Sequence, residues 1–178
     1  MHSVYSRINN VSATLSTCVM VLLAAIACSS LLFYADPKGT IDVTGINVYN
    51  MGTRRRPLRK QDQVRMSFNT TTDLRPLFNW NTKQLFVWVQ AEYTNSQGTQ
   101  NEVVLWDRIV RRKEDALIDL AGKNRYFFHE LSKKFAGSGP AHYSLKYNIM
   151  PYVGLLTSGE AARTTEPIAF PAVKEATD

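Results

Sequence analysis

Cysteine is nearly absent from this chain. Of 178 residues only Cys18 and Cys28 carry a thiol, and both lie within the first 34. Ten residues apart on a helix, they stand about 15 Å from each other, beyond disulfide reach. The remainder has none, which excludes a disulfide framework and thiolate metal centres there. Its roughly 140 residues can bury a sufficient core without staples.

Other chemistry is equally thinly supplied. The histidines are His2, His129 and His142. His2 belongs to the N-terminal tail, His142 alternates with core positions of its strand and so faces outward, and His129 sits beside Glu130. No serine or cysteine stands in a nucleophile elbow or partner motif near them. No His or Cys pair has metal-ligand spacing, and residues 137–140 (Gly-Ser-Gly-Pro) precede a strand, so they are a turn and not a phosphate cradle. Glu92 and Asp107 flank an expected hairpin, while Asp119 lies beside a further segment. The first two read as salt-bridge or turn partners in preference to an acid–base pair. An independent hydrolase is therefore disfavoured, and no cofactor is expected.

The net charge is +6. The basic clusters are Arg54, Arg55 and Arg56 with Arg59 and Lys60, and Arg108 with Arg111, Arg112 and Lys113. Neither is interleaved with aromatics as in a single-strand nucleic-acid reader. They read as solvated loops, with acidic partner surface or lipid headgroups as the alternative contact.

Against these absences stands one uncharged, largely apolar run over residues 8–34, closed by Arg7 and Asp36, with no second like it. As a helix it spans about 40 Å, enough for a bilayer's hydrocarbon core. The small-x-small triplet at residues 25–27 admits a cleavage site after Ala27, which would release an exported binding module. The run nevertheless continues through Leu31, Leu32, Phe33 and Tyr34, as suits a permanent anchor with an interfacial tyrosine. Arg7 on the short side mildly favours a cytosolic N-terminus, while the more distant arginine cluster pulls the other way.

Beyond Pro37 the pattern is short alternating runs separated by turn residues, a β signature. Residues 41–43 and 46–49 predict a first strand broken at Gly45. Val64, Met66 and Phe68 alternate with Arg65, Ser67 and Asn69. Residues 83–93 are apolar on both parities, as a central strand covered on both faces would be, and Trp88 is expected in the core. Residues 95–98 form a loop before a partner strand at 102–110. Residues 114–120 predict a helical turn or two, and 126–128 a short strand. Tyr143, Leu145, Tyr147 and Ile149 alternate with polar residues up to Pro151 and Gly154. Residues 167–171 suggest a last edge segment, and the tail from Ala172 is expected to fray. About seven strands argue for an antiparallel β-sandwich.

The most specific block is Phe78-Asn79-Trp80-Asn81-Thr82-Lys83-Gln84-Leu85-Phe86, followed by Ala91-Glu92-Tyr93 and by Asn101-Glu102-Val103-Val104-Leu105-Trp106-Asp107. With Ser6-Arg7, Lys123, Tyr126-Phe127-Phe128, Asn148, Pro151 and Gly154, it closely resembles the signal peptidase complex subunit 3 family of the endoplasmic reticulum, over nearly the whole chain. The resemblance implies a mainly β protein: a cytosolic tail at residues 1–8, a transmembrane signal-anchor helix at 9–34 and a lumenal antiparallel β-sandwich at 35–178. It implies a type II protein of the endoplasmic reticulum membrane, a non-catalytic accessory subunit bracing the serine protease subunit that removes signal peptides. Partners are then the other subunits of that complex and the membrane, not nucleic acid. Animal relatives carry an acceptor asparagine before the late strand, which residues 137–141 lack here. The candidate glycosylation site is instead Asn69, in Asn69-Thr70-Thr71.

Two further expectations concern partners. Asn79, Trp80 and Asn81 form a turn before the central strand that is a candidate contact with the catalytic subunit, or an Asx-type turn that only sets register. Ala24, Ala25, Ala27, Ser29 and Ser30 are small and would let another helix approach the anchor closely, the alternative being a lone anchor tolerant of substitution.

Overall fold

The structure, a computed structural model, describes residues 3–53, 56–130 and 132–174. Helix α1 (Val4–Ser29) passes into a 3-10 turn, Ser30–Leu32. Neither Pro nor Gly occurs before Pro37, so nothing interrupts the helical ladder. Ser3 starts it, its Oγ accepting from Ser6 N at 3.3 Å. The segment Val4–Leu32 is long and apolar enough to cross a membrane. Its side chains are exposed as far as Ala25 and become partly covered from Ile26.

Two sheets follow. The first holds β1 (Gly39–Thr53), β2 (Arg56–Asp73), β5 (Leu117–Lys123), β6 (Phe128–His129) and β9 (Val173–Lys174), in the order β5-β2-β1-β9, with β6 also on β2. The second holds β3 (Thr82–Thr94), β4 (Gln100–Val110), β7 (His142–Pro151) and β8 (Thr157–Arg163), in the order β4-β3-β7-β8. All pairings are antiparallel except the two-residue contact of β9 with β1, Val48 opposite Val173 and Tyr49 opposite Lys174. The sandwich expected from alternation is therefore present.

Its core is the facing parity of both sheets. Val64, Met66 and Phe68 from β2 meet Leu85, Val87 and Val89 from β3 and Tyr143 and Leu145 from β7 in one buried cluster. Tyr93, Phe128, Phe135 and Phe170 close one side of it, ring centroids 4.7 to 5.9 Å apart. Burial of such rings is the main stabilising contribution.

Register shifts explain positions that strict alternation would misplace. In β4 Val89 faces Trp106 and Gln90 faces Val104, so Leu105 is an inserted residue. The bulge turns Leu105 and Trp106 both inward, and both are buried. In β8 the inserted residue is Ala161, buried beside Ala162. In β1 a shift between Val43 and Gly45 leaves Thr44 as the inserted residue, so the strand continues unbroken through the point where the sequence predicts a break.

Several expectations are revised. Residues 114–120 form a single 3-10 turn, Lys113–Ala116, and then enter β5, because Ile118 and Leu120 are needed on the inner side of the sheet beside β2. Strand β6 starts at Phe128, not Tyr126. Trp88 is not in the core. Even-numbered residues of β3 point away from the facing sheet, and Trp88 lies half-buried there, stacked on Phe86 at 5.4 Å with its Nε1 donating to Gln90 Oε1 at 2.7 Å. The core tryptophan is Trp106, edge-on to Phe68 at 6.3 Å. The expected edge segment makes one bridge, Ile168 to Ala141. The tail contributes β9 before its end.

Candidate functional site

The titratable residues singled out in the sequence do not converge. Glu92 lies on the outer face of the β3 sheet, where it accepts from Lys146 Nζ at 2.7 Å and Arg163 Nη2 at 2.9 Å. Partial burial disfavours its charge, but the hydrogen bonds from Lys146 and Gln90, with the Lys146 and Arg163 charges, hold its carboxyl below the usual range. Asp107 accepts from Tyr126 Oη at 2.6 Å and lies 3.5 Å from Arg125 Nη1. Asp119 Oδ1 accepts from Thr71 Oγ1 at 3.3 Å. Each carboxylate is thus spent on joining neighbouring strands or loops. His129 is exposed at a sheet edge, paired through its backbone with Gln63. Among the described residues no three of His, Cys, Asp and Glu are grouped to hold a metal ion. Arg54 and Arg55, with the side chains of Arg56 and Arg59, lie outside the described residues. Arg108, Arg111, Arg112 and Lys113 are exposed at and beyond the end of β4.

Two buried acids were not legible as such. Asp62 accepts from Asn50 Nδ2 at 2.7 Å and from Phe135 N at 3.0 Å, and is 1 % exposed. Glu130, equally buried, accepts from the Tyr93 hydroxyl and from Ser132 N at 3.3 Å. Burial first, and the Glu130 carboxylate second, push the Tyr93 hydroxyl well above its ordinary value. These bonds tie Glu130 to Tyr93 of β3 and Phe135 to Asp62 of β2. Buried carboxylates supplied with donors serve conformation.

The most organised polar cluster joins helix to sandwich. Asn79 forms the Asx turn: its Oδ1 accepts from Asn81 N at 2.8 Å, and its carbonyl accepts from Thr82 N at 3.1 Å. That turn aims Asn81, 2 % exposed, at the junction. The Asn81 Nδ2 donates to Ser30 Oγ at 2.6 Å and to the Val153 carbonyl at 2.7 Å, and its Oδ1 accepts from Val153 N at 3.1 Å. Its backbone carbonyl accepts from Tyr152 N at 2.8 Å. Gly154 adopts φ +118°, a conformation that glycine tolerates, and a Cβ there would stand 3.5 Å from Ala27. Of the small residues at the end of the anchor, Ala27 and Ser30 thus meet the 152–154 loop and its Asn81 partner, while Ala24 and Ala25 are exposed; among the described residues it is this loop, and not a second helix, that approaches them. Of the three turn residues, Trp80 alone presents its side chain outward, 57 % exposed. Asn69 is exposed on β2.

Comparison with known proteins bears on what such a molecule is. A family model described as signal peptidase subunit matches residues 1–173. The chain is similar to signal peptidase complex subunit 3 of Drosophila melanogaster, at 33 % identity over 90 % of this chain and 90 % of that one. It is similar to signal peptidase complex subunit 3 of Caenorhabditis briggsae, at 32 % identity over 88 % of this chain and 87 % of its relative. With the Saccharomyces cerevisiae protein of the same name it shares 40 % identity, over 57 % of this chain and 56 % of the yeast protein. An apolar helix of spanning length, a sandwich docked on its end and a match over almost the whole length together place the chain in the signal peptidase subunit family.

Proposed function

We propose that this chain is a non-catalytic accessory subunit of the signal peptidase complex, bracing the serine protease subunit that removes signal peptides from nascent secretory proteins. The observation that carries the reading is the family match over residues 1–173. Supporting it, the acidic residues weighed as catalytic candidates are engaged in strand-to-strand and loop contacts. The chain sits in the endoplasmic reticulum membrane as a type II protein, with residues 1–8 in the cytosol, 9–34 spanning and 35–178 in the lumen. Arg7 on the short side favours that orientation. The exposed Asn69 would then be open to glycosylation.

Release by cleavage after Ala27 is disfavoured by the junction. Ala27 is packed against Gly154, and Ser30 is hydrogen-bonded to Asn81, so the end of the anchor is part of the folded domain's surroundings. Within the Asn79-Trp80-Asn81 turn, Asn81 is spent internally, and Trp80 is the group offered to a neighbour, protein or lipid.

The test is affinity purification of the full-length chain from microsomes in mild detergent, with identification of co-purifying subunits, and depletion of the chain in cells. Recovery of a serine protease subunit, and its loss on depletion, is expected. A full-length chain recovered alone, with the protease level unchanged on depletion, would overturn the bracing role.

A further inference from the structure

The head of the helix carries a group of large apolar side chains that the sandwich core does not use. Beyond Trp80, the loop after β7 exposes Tyr152 by 68 %, Leu155 by 87 % and Leu156 by 63 %. Soluble surfaces scatter such residues singly; four from one turn and one loop, held together by the Asn81 bonds, require a reason.

Their height along the helix supplies it. The Val153–Gly154 backbone is held at the level of Ala27 and Ser30 by the Asn81 hydrogen bonds and by the Gly154–Ala27 packing. About 20 helical residues cross a hydrocarbon core. Counted from Ile8, where the uncharged run begins, that number is reached near Ala27, so the last residues of the 9–34 anchor lie in the interfacial layer and not in the hydrocarbon core. The run continues to Tyr34, with Leu31, Leu32, Phe33 and Tyr34 all exposed. The loop therefore lies where the surface of the chain is still apolar and where the bilayer meets water.

We propose that Trp80, Tyr152, Leu155 and Leu156 insert into the lumen-side interface of the bilayer, so that the sandwich rests on lipid as well as hanging from its helix. Three features select lipid as the occupant. The surface is continuous with a membrane-spanning helix. Its aromatic members, Trp80 and Tyr152, are the types that settle at headgroup depth, while the two leucines reach the acyl boundary. Residues 154–156 are irregular, which the wet interface tolerates and the hydrocarbon core does not. The buried Asn81 side chain beside this zone has both amide hydrogens and its oxygen engaged. The consequence is orientation: a single helix leaves a domain free to swing, whereas a second lipid contact beside it fixes the tilt of the sandwich.

The test uses the full-length chain, with whatever subunits co-purify, reconstituted into phosphatidylcholine vesicles containing a phosphatidylcholine with an acyl-chain diazirine. After irradiation, peptides bearing lipid are identified by mass spectrometry. Adducts on Trp80 and on residues 152–156, in addition to those on the helix, are expected. A Leu155→Asp/Leu156→Asp variant, altered only at exposed side chains, is expected to lose the loop adducts and keep the helix adducts. Adducts confined to the helix would overturn the proposal. So would capture of another protein subunit, and not lipid, by a photoreactive residue placed at Leu155; that result would make the patch a protein interface.

Discussion

The side chain of Asn81 donates to Ser30 Oγ at 2.6 Å, tying the turn before β3 to the end of the membrane helix 51 positions earlier in the chain. The same amide both donates to and accepts from the backbone of Val153. Replacing Asn81 with alanine takes the partner from the partly buried Val153 N–H and C=O and releases Ser30. A loss of about 2–3 kcal/mol is expected, read by denaturant unfolding of the full-length chain in detergent. Ser30→Ala removes one bond and is expected to cost about 1 kcal/mol. In the Asn81→Ala background the second substitution should add almost nothing, because the partner is already gone.

A second prediction concerns the aromatic cluster. Phe128 is fully buried between Tyr93, Phe135 and Phe170. Phe128→Ala opens a cavity where β6 closes the sandwich, and the expected loss is about 3–5 kcal/mol. The midpoint of chemical unfolding measures it. An unchanged midpoint would mean that the cluster is not packed as described.

Acid should weaken the outer face of the β3 sheet. The Glu92 carboxyl is held below its ordinary value by Lys146, Gln90 and Arg163, against the effect of burial. A depressed carboxyl contributes stability that is present above the unfolded value. That stability is lost as pH falls from about 4.3, the ordinary glutamate value, through the lower folded one. Glu92→Gln is therefore expected to be less stable than the parent at neutral pH, with the difference closing in acid. Paired unfolding curves from pH 7 downward test the sign.

Asn69 provides a topological prediction. If the sandwich is lumenal, the exposed Asn69 on β2 can carry a glycan. A fraction of the chain from microsomes should then move faster on a gel after removal of N-glycans, and Asn69→Gln should abolish that shift. A cytosolic sandwich would show no glycan under any condition.

What the sequence disclosed follows from how locally each feature is encoded. Val64, Met66 and Phe68 are legible because period-2 alternation reports a half-buried strand directly, and all three are buried. Trp88 misleads because β3 is apolar on both parities, so composition does not say which face meets the other sheet. Strand β8 leaves no strong signal: the residues it turns inward include Ala161 and Ala162, too small to mark an apolar stripe, and a bulge breaks their alternation. The 114–120 segment starts with residues that suit a helix, but the edge of β2 recruits it as β5 from Leu117 onward. The Asn79-Trp80-Asn81 turn is readable as an Asx turn. That Asn81 would meet Ser30 and Val153 is not, because those partners are distant in sequence and only the folded junction brings them together. Asp62 and Glu130 escape for the same reason: acids usually face water, and only tertiary structure supplies the donors that allow their burial.

In the function proposed above, this chain contributes structure to a protease assembly, and no chemistry. The most direct measurement compares signal-peptide cleavage by the full-length chain purified alone with cleavage by the assembly recovered from the same membranes in mild detergent. Processing by the assembly and none by the isolated chain is expected. Cleavage by the isolated, folded chain would contradict it.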